Sequence, residues 1–224
     1  MKLIKPGFEI LSDINKDKML KMIELSGRQC YQSTHKIEEG SAEKFVKMIL
    51  ERGHLSVIEH VYFTVLFISN RGFSHEQVRH RLASYSQEST RFCNYTQEKF
   101  GNEIQCIDLE SSLKEFGVHQ KENRSFTPEE LHWVLATFNA AWEASQCWYN
   151  ELINVGVQAQ FARNVLPIGL KTSIVVTANL REWREIFQQR TAHVAHPQMK
   201  ELMRPLLKEI QNRIPLIFDD ITYE

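Results

Sequence analysis

The chain is poor in the features that organise a protein through covalent links or metal. Its four cysteines, Cys30, Cys93, Cys106 and Cys147, are widely spaced, with no Cys-x-x-Cys pair and no flanking histidine pattern of a zinc site. Reduced thiols and no bound metal are therefore expected. An excess of one charge is missing too: 27 Lys and Arg face 28 Asp and Glu, a formal net charge of −1. That balance gives no sign of a nucleic-acid coat or a membrane-adhesive surface, and it makes any basic site a local one. No segment reaches the ~18 to 20 apolar residues that cross a bilayer, and residues 1 to 25 lack the uninterrupted apolar stretch of a signal peptide. A cytoplasmic protein is expected. A Gly-x-Gly-x-x-Gly turn and a Walker loop are also absent, so any bound dinucleotide would have its phosphates held by side-chain donors. With no repeat, low-complexity tract or linker, and 42% hydrophobic residues, one domain over residues 1–224 with a sizeable core is expected.

What is present reads as α+β. Helical spacing over Lys16–Ile23 and Ala42–Leu50, the latter opened by Ser41 and closed by Gly53, predicts two early helices. His60–Ser69 follows as a strand: Val61, Phe63, Val65 and Phe67 alternate with Tyr62, Thr64, Leu66 and Ile68, so both faces are apolar and burial is expected. Phe92–Tyr95 and Ile104–Leu109 read as short strands, and Glu110–Phe126 as a charged, irregular, exposed excursion. Thr127-Pro128-Glu129-Glu130 combines a cap, a first-turn proline and a box glutamate. The helix it opens should run to about Val155, with Leu131, Leu135, Phe138, Trp142, Ser145, Tyr149 and Leu152 on one face and Trp133 and Trp148 elsewhere. Gly156 ends it, Gln158–Leu166 forms a short helix broken by Pro167 and Gly169, and Thr172–Ala178 is a strand. Asn179 with Glu182 opens a helix through Arg190, and His196–Ile214 forms a last one, kinked or interrupted at Pro205. The order is α+β rather than regular βαβ.

The densest polar segment is Arg79-His80-Arg81-Leu82-Ala83-Ser84-Tyr85-Ser86-Gln87-Glu88-Ser89-Thr90-Arg91. Arginine offers a planar fork of donors that matches phosphate oxygens two at a time, and Ser, Gln and Glu add groups that hydrogen-bond a base or sugar. Ser74 and Gln77 have capping-box spacing, which predicts a helix from near His75 through Arg79, His80 and Arg81 that loosens around Ser84–Ser89. On such a helix Arg79 and Arg81 lie about 200° apart, at roughly 100° per residue, and would serve different ligands or subunits. A solvated basic patch is the plainer alternative, but the polar density after Arg81 exceeds what a structural loop needs.

Arg79-His80-Arg81, seven residues, then Ser89 and Arg91 resembles the signature of the flavin-dependent thymidylate synthases. Three more segments follow the family's order: Gly53-His54-Leu55-Ser56-Val57-Ile58-Glu59-His60, Ala162-Arg163-Asn164-Val165-Leu166-Pro167, and Asn179-Leu180-Arg181 leading to Arg190. The resemblance implies an α+β domain with a central mixed sheet flanked by helices. It implies reductive methylation of dUMP to dTMP, with 5,10-methylenetetrahydrofolate as carbon donor and NADPH as reductant acting through FAD. It places FAD at His54, Ser56, Glu59, Arg79, His80, Arg81, Gln87, Asn179, Leu180, Arg181 and Glu185. It places dUMP at Glu76, Gln77, Val78, Arg79, Gln87, Glu88, Ser89, Thr90, Arg91, Arg163 and Arg190. In the implied chemistry Arg190 is the catalytic residue: it holds the pyrimidine edge and stabilises the ionised ring nitrogen, so the base reacts without an enzyme nucleophile. A permanent guanidinium charge suits that task where water is scarce. A homotetramer whose active sites combine several subunits is also implied.

Taken one at a time, several of these residues have plainer roles: Asn179 as a helix cap, Glu59 as a solvated strand-end charge, Arg163 as a salt-bridge residue, Arg190 as a cation at a helix C-terminus. Cys147, mid-helix, and Cys93 and Cys106, in expected strands, read as small core residues rather than thiolates. Cys30 stands where the family often has serine near the flavin, and packing is its expected role. Ser89 lacks a Gly-x-Ser-x-Gly elbow, and His193 with His196 lacks a third metal ligand. Ser86, Glu185 and the stretch His193-Val194-Ala195-His196-Pro197-Gln198 depart from the family's usual pattern. The rival function is a non-redox module in which Arg79, Arg81 and Arg91 grip a nucleotide or single-stranded RNA. Near-neutral charge and the few stacking positions, Tyr85, Phe92 and Tyr95, weigh against it.

Overall fold

A computed structural model describes residues 1–223. In chain order the elements are β1 (Lys2–Ile4), β2 (Gly7–Ile10), α1 (Lys16–Gln29), α2 (Ser41–Glu51), β3 (Tyr62–Asn70), α3 (Arg71–Gln77), β4 (Ala83–Gln87), β5 (Gln105–Ile107), α4 (Glu110–Phe116), α5 (Pro128–Asn154), α6 (Ala159–Ala162), β6 (Lys171–Asn179), α7 (Leu180–Arg190) and α8 (Pro197–Arg213). One sheet has the order β2-β3-β6-β4, and β1 pairs in parallel with β5, Leu3 opposite Cys106. The expected α+β class, a mixed sheet flanked by helices, holds. Residue contacts divide the chain into two compact units. Unit 1 is Met1–Gly7, Phe67–Gln77 and Ser86–Ile174; unit 2 is Phe8–Leu66, Val78–Tyr85 and the chain from Val175 onward.

Unit 1 is built around α5. Thr127 accepts the Glu130 N–H while the Glu130 carboxylate takes the Thr127 N–H, the capping box expected from sequence. Trp142 and Tyr149 are the buried residues of this helix, and they pack with Tyr95, Ile104, Cys106, Ala162 and Leu170. The rest of the expected apolar face is only partly covered, and Trp133 and Trp148 are exposed. Gly169 lies so close to this cluster that a Cβ there would sit 2.6 Å from Trp142 Cζ2.

Three expectations in unit 1 are corrected. Phe92–Tyr95 is a turn rather than a strand, because the Phe92 and Cys93 N–H groups bond back to the Ser89 carbonyl at 3.3 and 3.0 Å and are lost to any ladder. The stretch after Glu110 is not wholly irregular: α4 forms there, with the Leu113 N–H on the Leu109 carbonyl. The helix expected from His75 lies earlier. Asn70 Oδ1 accepts the Phe73 N–H at 3.0 Å and caps α3, whereas the Ser74 hydroxyl donates to Arg71 O and accepts from Gln87 Nε2. The helix then ends at Gln77, before Arg79. Where it was expected to loosen, β4 forms instead.

Unit 2 holds α7 in place with aromatic rings. Trp183 stacks on Phe63 with centroids 4.6 Å apart and on Phe187 at 5.6 Å, Phe218 meets both phenylalanines edge-on, and Trp183 Nε1 donates to the Phe63 carbonyl. Each fully buried ring contributes roughly 1.5–3 kcal/mol, which fixes the frame carrying residues 179 to 190. On β3, Phe63, Val65 and Phe67 are fully buried but Tyr62 is 64% exposed, so one face carries the core rather than both. α8 runs through Pro205 without interruption; its fully buried Met203, Leu206, Leu207 and Ile210 offset the backbone bond that proline forfeits.

Candidate active site

In unit 2, residues 78 to 82 form a turn rather than a helix, so the 200° argument for Arg79 and Arg81 does not apply. Val78, Arg79 and Arg81 are exposed, and His80 between the arginines is only 5% exposed. Among the described residues no carboxylate pairs with Arg79 or Arg81, whereas Arg28, Arg124, Arg184 and Arg213 are each ion-paired.

His80 is tied to α7 at two places. Arg190 Nε donates to His80 Nε2 at 2.9 Å, and His80 Nδ1 lies 3.9 Å from Glu182 Oε1. Since a guanidinium only donates, Nε2 accepts, and in a neutral ring the proton resides on Nδ1, facing Glu182. Tyr85 Oη donates to the His80 carbonyl at 2.7 Å and fixes the turn. Glu182 is 7% exposed. Burial raises its carboxyl above the ordinary range, an effect opposed by the Leu82 N–H and reinforced by the charge of Glu185.

Other expected flavin contacts in unit 2 are accounted for as follows. Asn179 Oδ1 accepts the Glu182 N–H at 2.8 Å, the expected cap, and the buried Leu180 donates its N–H to Val61 O. Arg181 is paired with Glu59 at 2.7 Å on the surface, so Glu59 is not simply a solvated charge. Ser56 is exposed on the short 3₁₀ helix Leu55–His60. His54 lines an open cleft of about 590 Å³ with Arg28, Tyr31, Phe45 and Arg52. Glu185 is exposed and accepts from Gln189. His196 Nδ1 caps α8 through the Gln198 N–H. Among the described residues, no three His, Cys, Asp or Glu side chains are grouped to hold a metal.

Unit 1 brings together a second cationic patch. Arg163 Nη1 donates to Thr90 Oγ1 at 3.3 Å, the Ser89 hydroxyl accepts the Arg91 N–H, and the Arg91 guanidinium lies over the Phe92 ring. Arg91 and Arg163 are exposed, with no carboxylate partner among the described residues, so the plain salt-bridge role for Arg163 is not realised.

Glu88 and Gln87 are committed elsewhere. The Glu88 carboxylate takes Lys171 at 2.9 Å and the Tyr95 hydroxyl at 3.2 Å, its N–H goes to Ser173 O, and its carbonyl accepts from Arg71. Burial, then the Glu88 charge, pushes the Tyr95 phenol upward. Gln87 Nε2 donates to the Ser74 and Thr172 hydroxyls, which leaves its Oε1 as the acceptor of that amide. Gln77 is buried and Glu76 partly exposed.

Cysteine placement is partly corrected. Cys106 is fully buried, as expected of a small core residue, and burial pushes its thiol up to about 12. Cys93 is half-buried in a turn and also raised by burial, while Cys30 and Cys147 are exposed, so neither packs a core. Sequence reasoning passed over Glu182 and Tyr85. The first had a signal, three residues after Asn179, but one that suggested only a helix start.

The donor chemistry fits an anionic dinucleotide and a nucleotide phosphate. Arg79 and Arg81 in unit 2, and Arg91 and Arg163 in unit 1, present fork donors with no carboxylate to displace among the described residues.

The family model described as "Thymidylate synthase complementing protein" matches residues 12–216. The flavin-dependent thymidylate synthase of Corynebacterium glutamicum is 30% identical over 206 residues, covering 91% of this chain and 80% of that one. That of Mycobacterium leprae is 34% identical over 206 residues, with 89% and 78% covered, and that of Pyrococcus furiosus is 32% identical over 193 residues, with 86% and 72% covered. A UMP/dUMP methylase, PolB from Streptomyces cacaoi, solved with 5-Br dUMP, superposes with a TM-score of 0.80 at 17% identity, over 98% of this chain and 96% of that one. At that identity the likeness concerns the fold.

Proposed function

The chain belongs to the flavin-dependent thymidylate synthase family, and we propose that its arginines without carboxylate partners are the anion-binding groups of that family's reaction. The protein is an FAD-dependent methyltransferase that converts dUMP to dTMP, with 5,10-methylenetetrahydrofolate as carbon donor and NADPH as reductant. FAD, when held by the motif residues named below, would supply the redox chemistry that links NADPH to the carbon being transferred.

The observation that carries the residue assignment is the charge pattern. Arg79, Arg81, Arg91 and Arg163 have no carboxylate partner among the described residues, whereas Arg28, Arg124, Arg184 and Arg213, outside the motifs, are each ion-paired. Arg79 and Arg81 neutralise the flavin diphosphate, with His80, Ser56, His54, Asn179, Leu180 and Arg181 completing the flavin contacts. Arg181 does so by exchanging or sharing Glu59, and Gln87 through its Oε1 or backbone. Arg163, Arg91, Ser89 and Thr90 hold the dUMP phosphate, and the backbone of Glu76, Gln77 and Val78 borders the nucleotide.

Arg190 faces the uracil ring as the catalytic residue. Its anchored guanidinium is a fixed positive charge for the anion that develops on the base, and no reorganisation is needed when that charge appears. In this reading no side chain acts as nucleophile, and Cys106 in particular, whose thiol burial pushes up to about 12, is not a thiolate near neutral pH.

One domain over residues 1–224 carries this activity. It works in the cytoplasm, a reading supported by the free thiols and by there being no helix long and apolar enough to cross a membrane among the described residues. It assembles as a homotetramer with shared active sites, which would cover exposed Trp133, Trp148 and Phe161. The test is direct. Purified protein given FAD should show flavin absorbance that bleaches with NADPH, and should form dTMP only when dUMP and methylenetetrahydrofolate are both present. Nucleotide binding with neither flavin absorbance nor dTMP would instead select the non-redox module.

A further inference from the structure

We propose that the buried Glu182 is a positioning residue for methylation, which through His80 fixes the plane in which the Arg190 guanidinium meets the base. The proposal rests on the reading of Arg190 above. Glu182 and Arg190 lie at opposite ends of α7, eight residues apart, which is roughly 12 Å along the axis and about 80° around it. Neither side chain is placed by the other directly. The His80 ring spans the interval, with Nδ1 toward Glu182 at 3.9 Å and Nε2 on Arg190 Nε at 2.9 Å.

This geometry is specific about protons. Nε of Arg190 carries a hydrogen and cannot accept, so the ring must present a bare Nε2. The other tautomer would set N–H against N–H, and a doubly protonated ring would set two cations against each other. Glu182 opposes the first failure, by making Nδ1 the favourable place for the single ring proton, and the Arg190 guanidinium, a like charge on Nε2, opposes the second. At 3.9 Å the coupling is electrostatic rather than a hydrogen bond, and burial of both groups gives it strength that water would screen.

The consequence for Arg190 is orientation. A bond at Nε fixes the guanidinium plane and with it the directions of Nη1 and Nη2. The frame is stiff at both ends: Trp183, beside Glu182, is stacked and hydrogen-bonded to the β3 backbone, and Tyr85 holds the His80 carbonyl. Asn179 caps α7 through the Glu182 N–H, a backbone contact that side-chain substitution leaves in place.

The test uses holoenzyme with FAD, comparing wild type, Glu182→Gln and Glu182→Ala. Both variants should retain flavin, its reduction by NADPH and a KM for dUMP near that of the wild type. Their kcat for dTMP should fall by about 10- to 100-fold, as expected when a reacting group is misaligned by an ångström or less. Nitrogen NMR of the His80 ring should show the Nδ1–H tautomer in wild type and a shift toward Nε2–H in the variants. Wild-type kcat in Glu182→Gln, or a kcat loss with the tautomer unchanged, overturns the proposal. An Nε2–H ring in the wild type overturns it as well, even if the variants do not fold. Arg190→Ala separates the two ideas. If it keeps wild-type kcat, the reading of Arg190 has failed; if it loses kcat while Glu182→Gln does not, only the role of Glu182 has.

Discussion

Arg190 and Arg163 carry the same charge but sit in different surroundings, and that difference predicts different kinetics. Arg190 is partly buried and anchored at 2.9 Å on a buried imidazole. Removing one preorganised donor aimed at developing charge costs about 2.7–4 kcal/mol, or ~10²–10³ in kcat. Arg163 is exposed and makes a 3.3 Å contact with Thr90, so its charge is screened by water and salt. Its loss should cost nearer 1–1.5 kcal/mol, an approximately tenfold rise in KM for dUMP that excess substrate reverses. Arg190→Ala should therefore keep FAD, accept hydride from NADPH at the wild-type rate and still form little dTMP at saturating dUMP. Arg190→Lys should recover little, because lysine has neither the Nε donor that meets His80 nor a planar fork. Single-turnover assays with pre-reduced enzyme, quenched and analysed for dTMP, separate the two behaviours. A wild-type rate for Arg190→Ala at saturation, or an Arg163→Ala defect that excess dUMP leaves untouched, would refute the reasoning.

Gly169→Ala should destabilise the protein by about 1–3 kcal/mol, since the new Cβ would lie 2.6 Å from Trp142 Cζ2 in a packed cluster; an unchanged urea midpoint would show that the ring yields freely. Glu130 is held at about 2, first by the Arg124 hydrogen bonds and then by the Thr127 N–H. A depressed carboxyl stabilises the fold above its ordinary 4.5, and that contribution is lost as the pH falls from there through about 2. The carboxyl carbon of Glu130 should titrate accordingly by NMR and return toward 4.5 in Arg124→Ala; coincident midpoints in the two proteins would remove the pair from the account. Each of Cys30, Cys93, Cys106 and Cys147 replaced by Ala should leave turnover within about tenfold, or 1.4 kcal/mol. Lost chemistry with intact flavin and nucleotide binding in any of them would reinstate covalent catalysis.

The long elements were legible because their patterns repeat and are punctuated. α5 has a box and proline at one end and Gly156, at φ +91°, at the other, and α7 has Asn179. β1, β2 and β4 went unseen for the opposite reason. Three to five residues carry no measurable period, and Lys2–Ile4 is a strand only because Gln105–Ile107, a hundred positions away, pairs with it. The misplaced α3 has a different origin. Asn70 and Ser74 both have cap chemistry, and the choice between them was made from a distance, by Gln87 drawing the Ser74 hydroxyl into its own hydrogen bond.

The site divides along a similar line. Residue type and spacing picked out the arginines, but charge compensation is not a property of local sequence. Arg181 and Arg79 are equally plausible phosphate ligands on paper, yet Arg181 is answered by Glu59, 122 positions away, and Arg79 by no carboxylate among the described residues. The same test separates two glutamates. Glu88, inside the motif, has its carboxylate occupied by Lys171 and Tyr95 and its backbone by Ser173 and Arg71, so it shapes the segment that presents Ser89 to Arg91. Glu182, which looked like a helix-start residue, is buried against His80. A charge that the fold leaves unanswered at an exposed motif position is available to a ligand, and a charge buried beside a neutral imidazole sets where that ring keeps its proton. On this argument the binding energy for both anions comes from the first kind of residue, and the alignment of Arg190 from the second.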